Sequence, residues 1–225
     1  MPSSRNRFRI SVKKEVDSMD FLKINESVMH VYQTLEIERL RFLQMTGLYC
    51  LPRCGNCCNS KELSAAIIEC IPAAIYLWNS GNGDEFYTKL EQSDPSNGCC
   101  FFTPLSSRET GICSLYQYRF LVCRLFANTV QINSHGEPQL ITCQRIKAAR
   151  AAEYAEAIQS LRQGLPAPIA RNFRMQLYGI EPALGSTIYP LHTAMMHALE
   201  ITYWHFGPHH YHFKPLDASS GKKIS

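Results

Sequence analysis

The sequence predicts a mainly α-helical domain of α+β character, with helices and one small β-hairpin around a cysteine-rich, metal-organised irregular core. Three observations carry this. Long stretches of the 225 residues repeat apolar side chains at helical spacing. One segment, "NTVQINSHGEPQLITC", alternates about a polar turn as a hairpin does. Most of the ten cysteines fall in two blocks where neither periodicity holds.

The chain opens on "MPSSRNRFRISVKKEV", with five basic residues ahead of Glu15 and no apolar core of a secretory signal. Residues 1–18 read as a disordered basic arm, with a faint similarity to an organelle transit peptide. Residues 19–47 form the N-terminal helix, in which Phe21, Ile24, Val28, Val31, Leu35 and Leu40 recur near helical spacing and Gly47 is the stop. Residues 48–146 form the cysteine-cluster metal-binding domain. Within it Ser64 reads as the N-cap of "AAIIECIPAAIYLWNSG", which Pro72 breaks or kinks and the "NSGNG" turn ends. "DEFYTKLEQ" is a short helix with acids in its first turn, and "SDPSNG" is a loop. "CCFFTPLSSRETGICSLYQYRFLVCRLFANTV" reads as aromatic-rich and irregular, and the hairpin that follows turns at Ser134–Glu137. Residues 147–215 form a C-terminal helical region packed on this domain. It begins with the alanine-rich "QRIKAARAAEYAEAIQSLRQG" and continues through two helices that end at glycine, "PIARNFRMQLYG" and "PLHTAMMHALEITYWHFG". Residues 216–225 are a flexible tail.

A hydrophobic content of 45% is enough to build a core. A net charge of +4 is too small to indicate nucleic acid as a partner. No run of 18 apolar residues is present, so the sequence predicts no membrane span and a cytoplasmic location. In a reducing compartment disulfides are rare, and clustered thiols bind metal or carry redox chemistry. The basic arm and the long first helix are the segments suited to a protein partner.

The first block is "GLYCLPRCGNCCNS". Cys54 and Cys57 have the C-x2-C spacing that brings two thiolates to one metal, in zinc ribbons and iron–sulfur proteins alike. Gly55 lies inside that loop, where a tight reversal favours glycine. Cys50 can join them. Adjacent side chains diverge in extended chain, so Cys57 and Cys58 should not share one mononuclear ion. Cys58 serves a second centre, a polynuclear one, or packing alone. Downstream, Cys99 or Cys100, Cys113, Cys123 and Cys143 have no diagnostic spacing individually.

The order C-x2/3-C-x2-C-C, C-x-F, C-x2-Y-x2-R-x3-C-R and a later cysteine resembles the YkgJ-type cysteine-cluster family, a zinc- or iron-chelating domain also read as iron–sulfur binding. The matching residues here are Cys50, Cys54, Cys57 and Cys58; Cys100 before Phe102, or Cys99 before Phe101; Cys113, Tyr116, Arg119, Cys123 and Arg124; and Cys143. The resemblance covers roughly residues 47 to 145. The chain departs from the family at Phe120 and Ala127, where proline is usual. The resemblance implies eight metal-ligating cysteines, with Cys70 and one of Cys99/Cys100 left over. It implies iron–sulfur clusters, of the 4Fe-4S type, or alternatively zinc, since both accept all-thiolate ligation. The doubled Cys57–Cys58 favours the polynuclear option.

Electron transfer, metal handling or a part in a larger assembly are the roles such a protein fills. A cluster-dependent enzyme is the alternative. C-x3-C-x2-C is also the spacing of radical SAM enzymes, but Asn56 stands where they carry an aromatic residue, and the chain lacks alternating strands and helices. Similar cysteine domains occur in a longer flagellin lysine N-methylase family. Arg119 and Arg124 are candidate guanidinium donors to a thiolate cluster, against a loop-fixing role; Tyr116 is a candidate hydroxyl donor, against an aromatic core role. The His205, His209, His210 and His212 tract lacks a carboxylate partner. His192 and His197 stand five apart, off a shared helix face, and read as surface or core residues.

Overall fold

Helix α1 (Phe21–Thr46) starts where the Asp20 side chain accepts from the Lys23 N–H at 3.0 Å, and stops where Gly47 turns left-handed at φ 68°. The computed structural model describes residues 19–94, 98–107, 110–126, 128–208 and 222–223. The expected arm at 1–18, the residues His209, His210 and His212, and the expected tail apart from Lys222–Lys223 lie outside the described residues. Phe21, Ile24, Val28, Val31 and Leu35 are buried as their spacing predicts. Leu40 is not: it is 44% exposed, and Phe42 and Leu43 continue the buried face instead. They lie seven and eight residues beyond Leu35, which returns them to its side of the helix.

Strand β1 (Ser64–Ala66) precedes helix α2 (Ile67–Asn79), followed by α3 (Gly83–Gln92). The expected cap at Ser64 is therefore displaced. Ser64 begins a strand paired antiparallel with β6 (Thr187–Pro190), and the Glu69 carboxylate caps α2 by accepting from the Ala66 N–H at 3.0 Å. Pro72 lies inside α2 without ending it. This helix is buried on nearly every side, so packing holds it across the missing N–H. Its main neighbour is α9 (Leu191–Phe206), where the Trp78 indole donates to the Leu199 carbonyl at 3.2 Å and the Thr202 hydroxyl at 3.1 Å.

The second cysteine block is more regular than expected. Strands β2 (Phe102–Ser107) and β3 (Thr110–Cys113) form an antiparallel hairpin, and α4 (Leu121–Leu125) follows. Pro104 and a register shift between Pro104 and Ser107 interrupt the alternation that would have announced it. The expected hairpin is present as β4 (Thr129–Ile132) and β5 (Pro138–Ile141), with Asn133 Oδ1 accepting from the His135 and Glu137 N–H groups across its turn. The alanine-rich stretch divides at Arg150 into α5 (Gln144–Ala149) and α6 (Ala151–Arg162). Helix α7 (Ala170–Ile180) runs one residue past Gly179, and α8 (Pro182–Gly185) leads into β6. Lys222–Lys223 pair with β6 as a third strand, β7.

The buried side chains form two cores. The larger joins α1 with α2, α3, α4, α7 and α9. The smaller holds Phe42, Leu43, Leu48, Val130, Leu140, Ile146, Ala157 and Leu161, from the end of α1, the β4–β5 hairpin, α5 and α6. No described helix is long and apolar enough to cross a membrane.

Candidate metal centre

Four chain segments bring cysteines to one place. Leu48, fully buried in the smaller core, anchors the first block as it leaves α1. Cys54 bridges Thr110, and the Gly111 N–H donates to the Arg53 carbonyl at 3.0 Å, so the loop lies along β3. The Phe102 ring sits between Gly55 and Gly111. A Cβ on either would fall 2.2 or 2.4 Å from it. Gly55 is thus required by close approach of a ring, not by the chain reversal expected for it.

Cys57–Asn59 form a 3₁₀ turn. In that conformation the neighbouring thiols lie close enough for each to shift the other's pKa, instead of diverging as in extended chain. Gly98, at φ 89°, lets the second segment pass close to the Cys58 carbonyl, which accepts from the Cys99 N–H at 2.7 Å. Cys99, not Cys100, lines the cleft with the others. Cys113 ends β3 opposite Phe102. Cys123 lies on α4, whose first turn is held by the Glu69 carboxylate accepting from the Val122 N–H at 3.0 Å. Cys143 follows β5 and caps α5, its sulfur accepting from the Ile146 N–H at 3.4 Å.

The result is a cleft of about 560 Å³ walled by Cys50, Cys54, Cys57, Cys58, Cys99, Cys113, Cys123 and Cys143. All ten cysteines are free thiols. They wall the cleft without closing on a point: among the described residues no three or more His, Cys, Asp or Glu side chains converge as metal ligands. Crowding and burial raise the pKa values of Cys50, Cys57, Cys58, Cys99, Cys113 and Cys123. Burial, then the neighbouring Cys54, Cys143 and Cys57, pushes Cys50 up to about 11. The hydrogen bond to Cys58, then burial, raises Cys57. Cys58 accepts from Cys57, which lowers its value, but its bond to Cys99 and burial outweigh this and carry it to about 12. Cys99, bonded to Cys100, also reaches about 12. Burial raises Cys113 and Cys123.

No protein-family model, curated protein or solved structure matches the chain. Its chemistry is therefore read from its own residues. Eight sulfur donors and no carboxylate wall the cleft, a set suited to zinc or iron–sulfur and unsuited to hard cations. Asn128 adds to this fit. It lines the cleft, is 1% exposed, and neither amide atom has a hydrogen-bond partner.

The three candidate donors take different places. Arg119 lines the cleft, stacked 3.7 Å over the Tyr116 ring with its Nε donating to the Tyr116 carbonyl. Tyr116 is 60% exposed, so it belongs to the rim and not to an aromatic core. Arg124 does not line the cleft. Its guanidinium donates to the Arg119 and Gln117 carbonyls at 2.8 and 2.6 Å and lies over the Tyr32 ring, which makes it the loop-fixing arginine. The guanidinium that does reach a thiol is that of Arg145, whose Nη1 donates to Cys54 Sγ at 3.8 Å. Nothing in the sequence near Arg145 marks it. Cys70 is fully buried in α2. His192 and His197 are buried beside the Leu90 carbonyl and the Glu200 carboxylate, away from the cleft lining.

Proposed function

We propose that the chain is a cysteine-cluster metal-binding protein that holds iron–sulfur clusters, or alternatively zinc, through eight thiolates. The ligands are Cys50, Cys54, Cys57, Cys58, Cys99, Cys113, Cys123 and Cys143, with Cys99 taken from the Cys99/Cys100 pair that the resemblance left open. The observation that carries this is that eight free thiols from four segments wall one cleft. A metal would replace the thiol protons and draw the sulfurs inward, and Arg145, Arg39 and Arg119 would offset the charge of the thiolates. Free thiols in this number need a reducing compartment, and the cytoplasm meets that need. The functional role is electron transfer, metal handling or a part in an assembly. Leu22, Ile37 and Met45, exposed on α1, offer apolar contact to a protein partner.

One observation favours the cluster-dependent enzyme as a second reading. The thiol cleft continues into a rim of Arg39, Arg53, Arg119, Tyr116 and Phe126, which is suited to an anionic or aromatic substrate. Purification without oxygen, with counts of iron, zinc and acid-labile sulfide, tests the first reading. Iron with equal sulfide and broad visible absorption is the expected result. Zinc without sulfide would leave the chelating role and remove the cluster. Neither metal would overturn the proposal.

A further inference from the structure

The eight thiols are not evenly spread. Cys123 lies within electrostatic reach of Cys99, Cys58, Cys57 and Cys113, and Cys58 within reach of Cys99 and Cys113. The corresponding neighbours of Cys50 are Cys54, Cys143 and Cys57. Cys57 belongs to both sets, within reach of Cys50 on one side and of Cys113 and Cys123 on the other, and its C-x2-C spacing from Cys54 is what places it with Cys50, Cys54 and Cys143.

The backbone divides them the same way. Cys99 is joined to Cys58 through its N–H, Cys113 faces Phe102 across the β2–β3 pair, and the Ser114 N–H donates to the Phe101 carbonyl. Cys99, Cys113 and Cys123 all pack against the larger core. Cys143 packs against the smaller core, and Leu48, two residues before Cys50, is buried in that same core. Arg145, on α5, reaches Cys54 from the smaller core's side.

Resting on the metal-binding reading, we infer two separate four-thiolate centres. An inner one of Cys58, Cys99, Cys113 and Cys123 stands on the larger core, and an outer one of Cys50, Cys54, Cys57 and Cys143 stands on the smaller core. Each divalent ion that enters replaces four thiol protons, which leave to solvent, and is left in a soft, tetrahedral sulfur site. Cys57 and Cys58 are consecutive, about 3.8 Å apart at Cα. They tie the centres together, so the two hydrophobic cores meet through metal as well as through α1. Such a pair of adjacent centres suits passage of an electron or a metal ion from one to the other. The double cysteine is the hinge of this arrangement.

Cobalt(II), added without oxygen to the reduced full chain under a chelator-buffered titration, tests this by its sulfur-to-cobalt charge-transfer bands. Two equivalents with tetrathiolate spectra are expected. Cys50→Ser and Cys113→Ser should each lose the tetrathiolate spectrum of one equivalent and keep that of the other. The double variant should lose both. Both positions are at least partly solvent-accessible, and far-UV circular dichroism checks that each variant folds. Should either fail to fold, Cys143→Ser or Cys123→Ser replaces it with the same expectation. Cys100→Ser, outside the cleft wall, should keep both centres. Loss of both centres in a single folded variant would replace the two sites with one polynuclear centre. One equivalent in the wild-type chain would likewise overturn the division while leaving metal binding intact. No cobalt bound by the wild-type chain would instead overturn the metal-binding reading itself.

Discussion

Asn128 holds a backbone φ of 101°, is 1% exposed, and leaves both amide atoms unpaired inside the cysteine cleft. A buried polar group without a partner costs about 1–3 kcal/mol, and a non-glycine residue in a sparse backbone region costs about 1–3 kcal/mol more. Such a cost has a use where the amide N–H can donate to a thiolate sulfur, since hydrogen bonds to sulfur tune a metal centre. Asn128→Gly removes the strain and both orphaned atoms, and returns about 0.5–1 kcal/mol of that as unfolded-chain entropy. The metal-free variant should therefore be more stable than the wild type by about 1 kcal/mol or more, while binding metal more weakly. Urea denaturation in chelator, paired with a cobalt titration, reads both quantities. A metal-free variant less stable than the wild type would show that the amide is already satisfied. Nothing in "FANTV" signals this residue, because the strain and the unpaired amide are set by what packs around it. The thiols themselves were legible, since cysteine in a reducing compartment is informative wherever it clusters.

Glu69 shows how an element-scale device stays out of sight in a sequence. With Ser64 taken as the cap, Glu69 falls past the first turn of its helix, so nothing in the sequence singles it out. The structure gives it two N-termini at once, with its oxygens accepting from Ala66, the cap residue before α2, and from Val122 of α4, each at 3.0 Å. Burial pushes its pKa up, against the lowering effect of these N–H donors and of Arg174. The partner 53 residues away is what no local pattern could supply. Long helices were legible because α1 and α9 each repeat a buried face over several turns. The β2–β3 hairpin was not, because Pro104 and the bulge beside it break the period of two. Glu69→Ala would leave the Ala66 and Val122 N–H groups unpaired, at about 1–3 kcal/mol each, less the cost no longer spent on burying a carboxylate. A fall of about 2 kcal/mol in unfolding free energy at neutral pH is the expected outcome by urea titration, since two bonds are lost for one charge removed. An unchanged midpoint would show that neither cap contributes. Because α4 carries Cys123, the same variant should also loosen the inner centre first.

At the scale of the molecule, two modest cores meet beside a cleft walled with thiols, and protonation decides how well that arrangement holds without metal. Clustering was legible as chemistry, whereas the choice of Cys99 over Cys100 rests on the Gly98 approach to Cys58, and the separation of cores rests on packing between distant segments. The pH dependence follows from the crowding. A cysteine in an unfolded chain titrates near about 8.5, whereas the fold holds the protons of Cys50 to about 11 and of Cys58 and Cys99 to about 12. The folded, metal-free chain thus keeps protons that the unfolded chain releases. The stability these groups contribute is fully present below about pH 8.5 and is lost as pH rises toward the folded-state values. Metal reverses the dependence, because a ligated sulfur carries no proton: zinc affinity should climb with pH through the neutral range as fewer protons must be displaced. Thermal melts from pH 7 to about pH 10 should therefore diverge, falling above about pH 8.5 in chelator and staying level with zinc bound. A flat curve in chelator would mean that the fold does not raise the pKa values of Cys50, Cys58 and Cys99 above those of the unfolded chain.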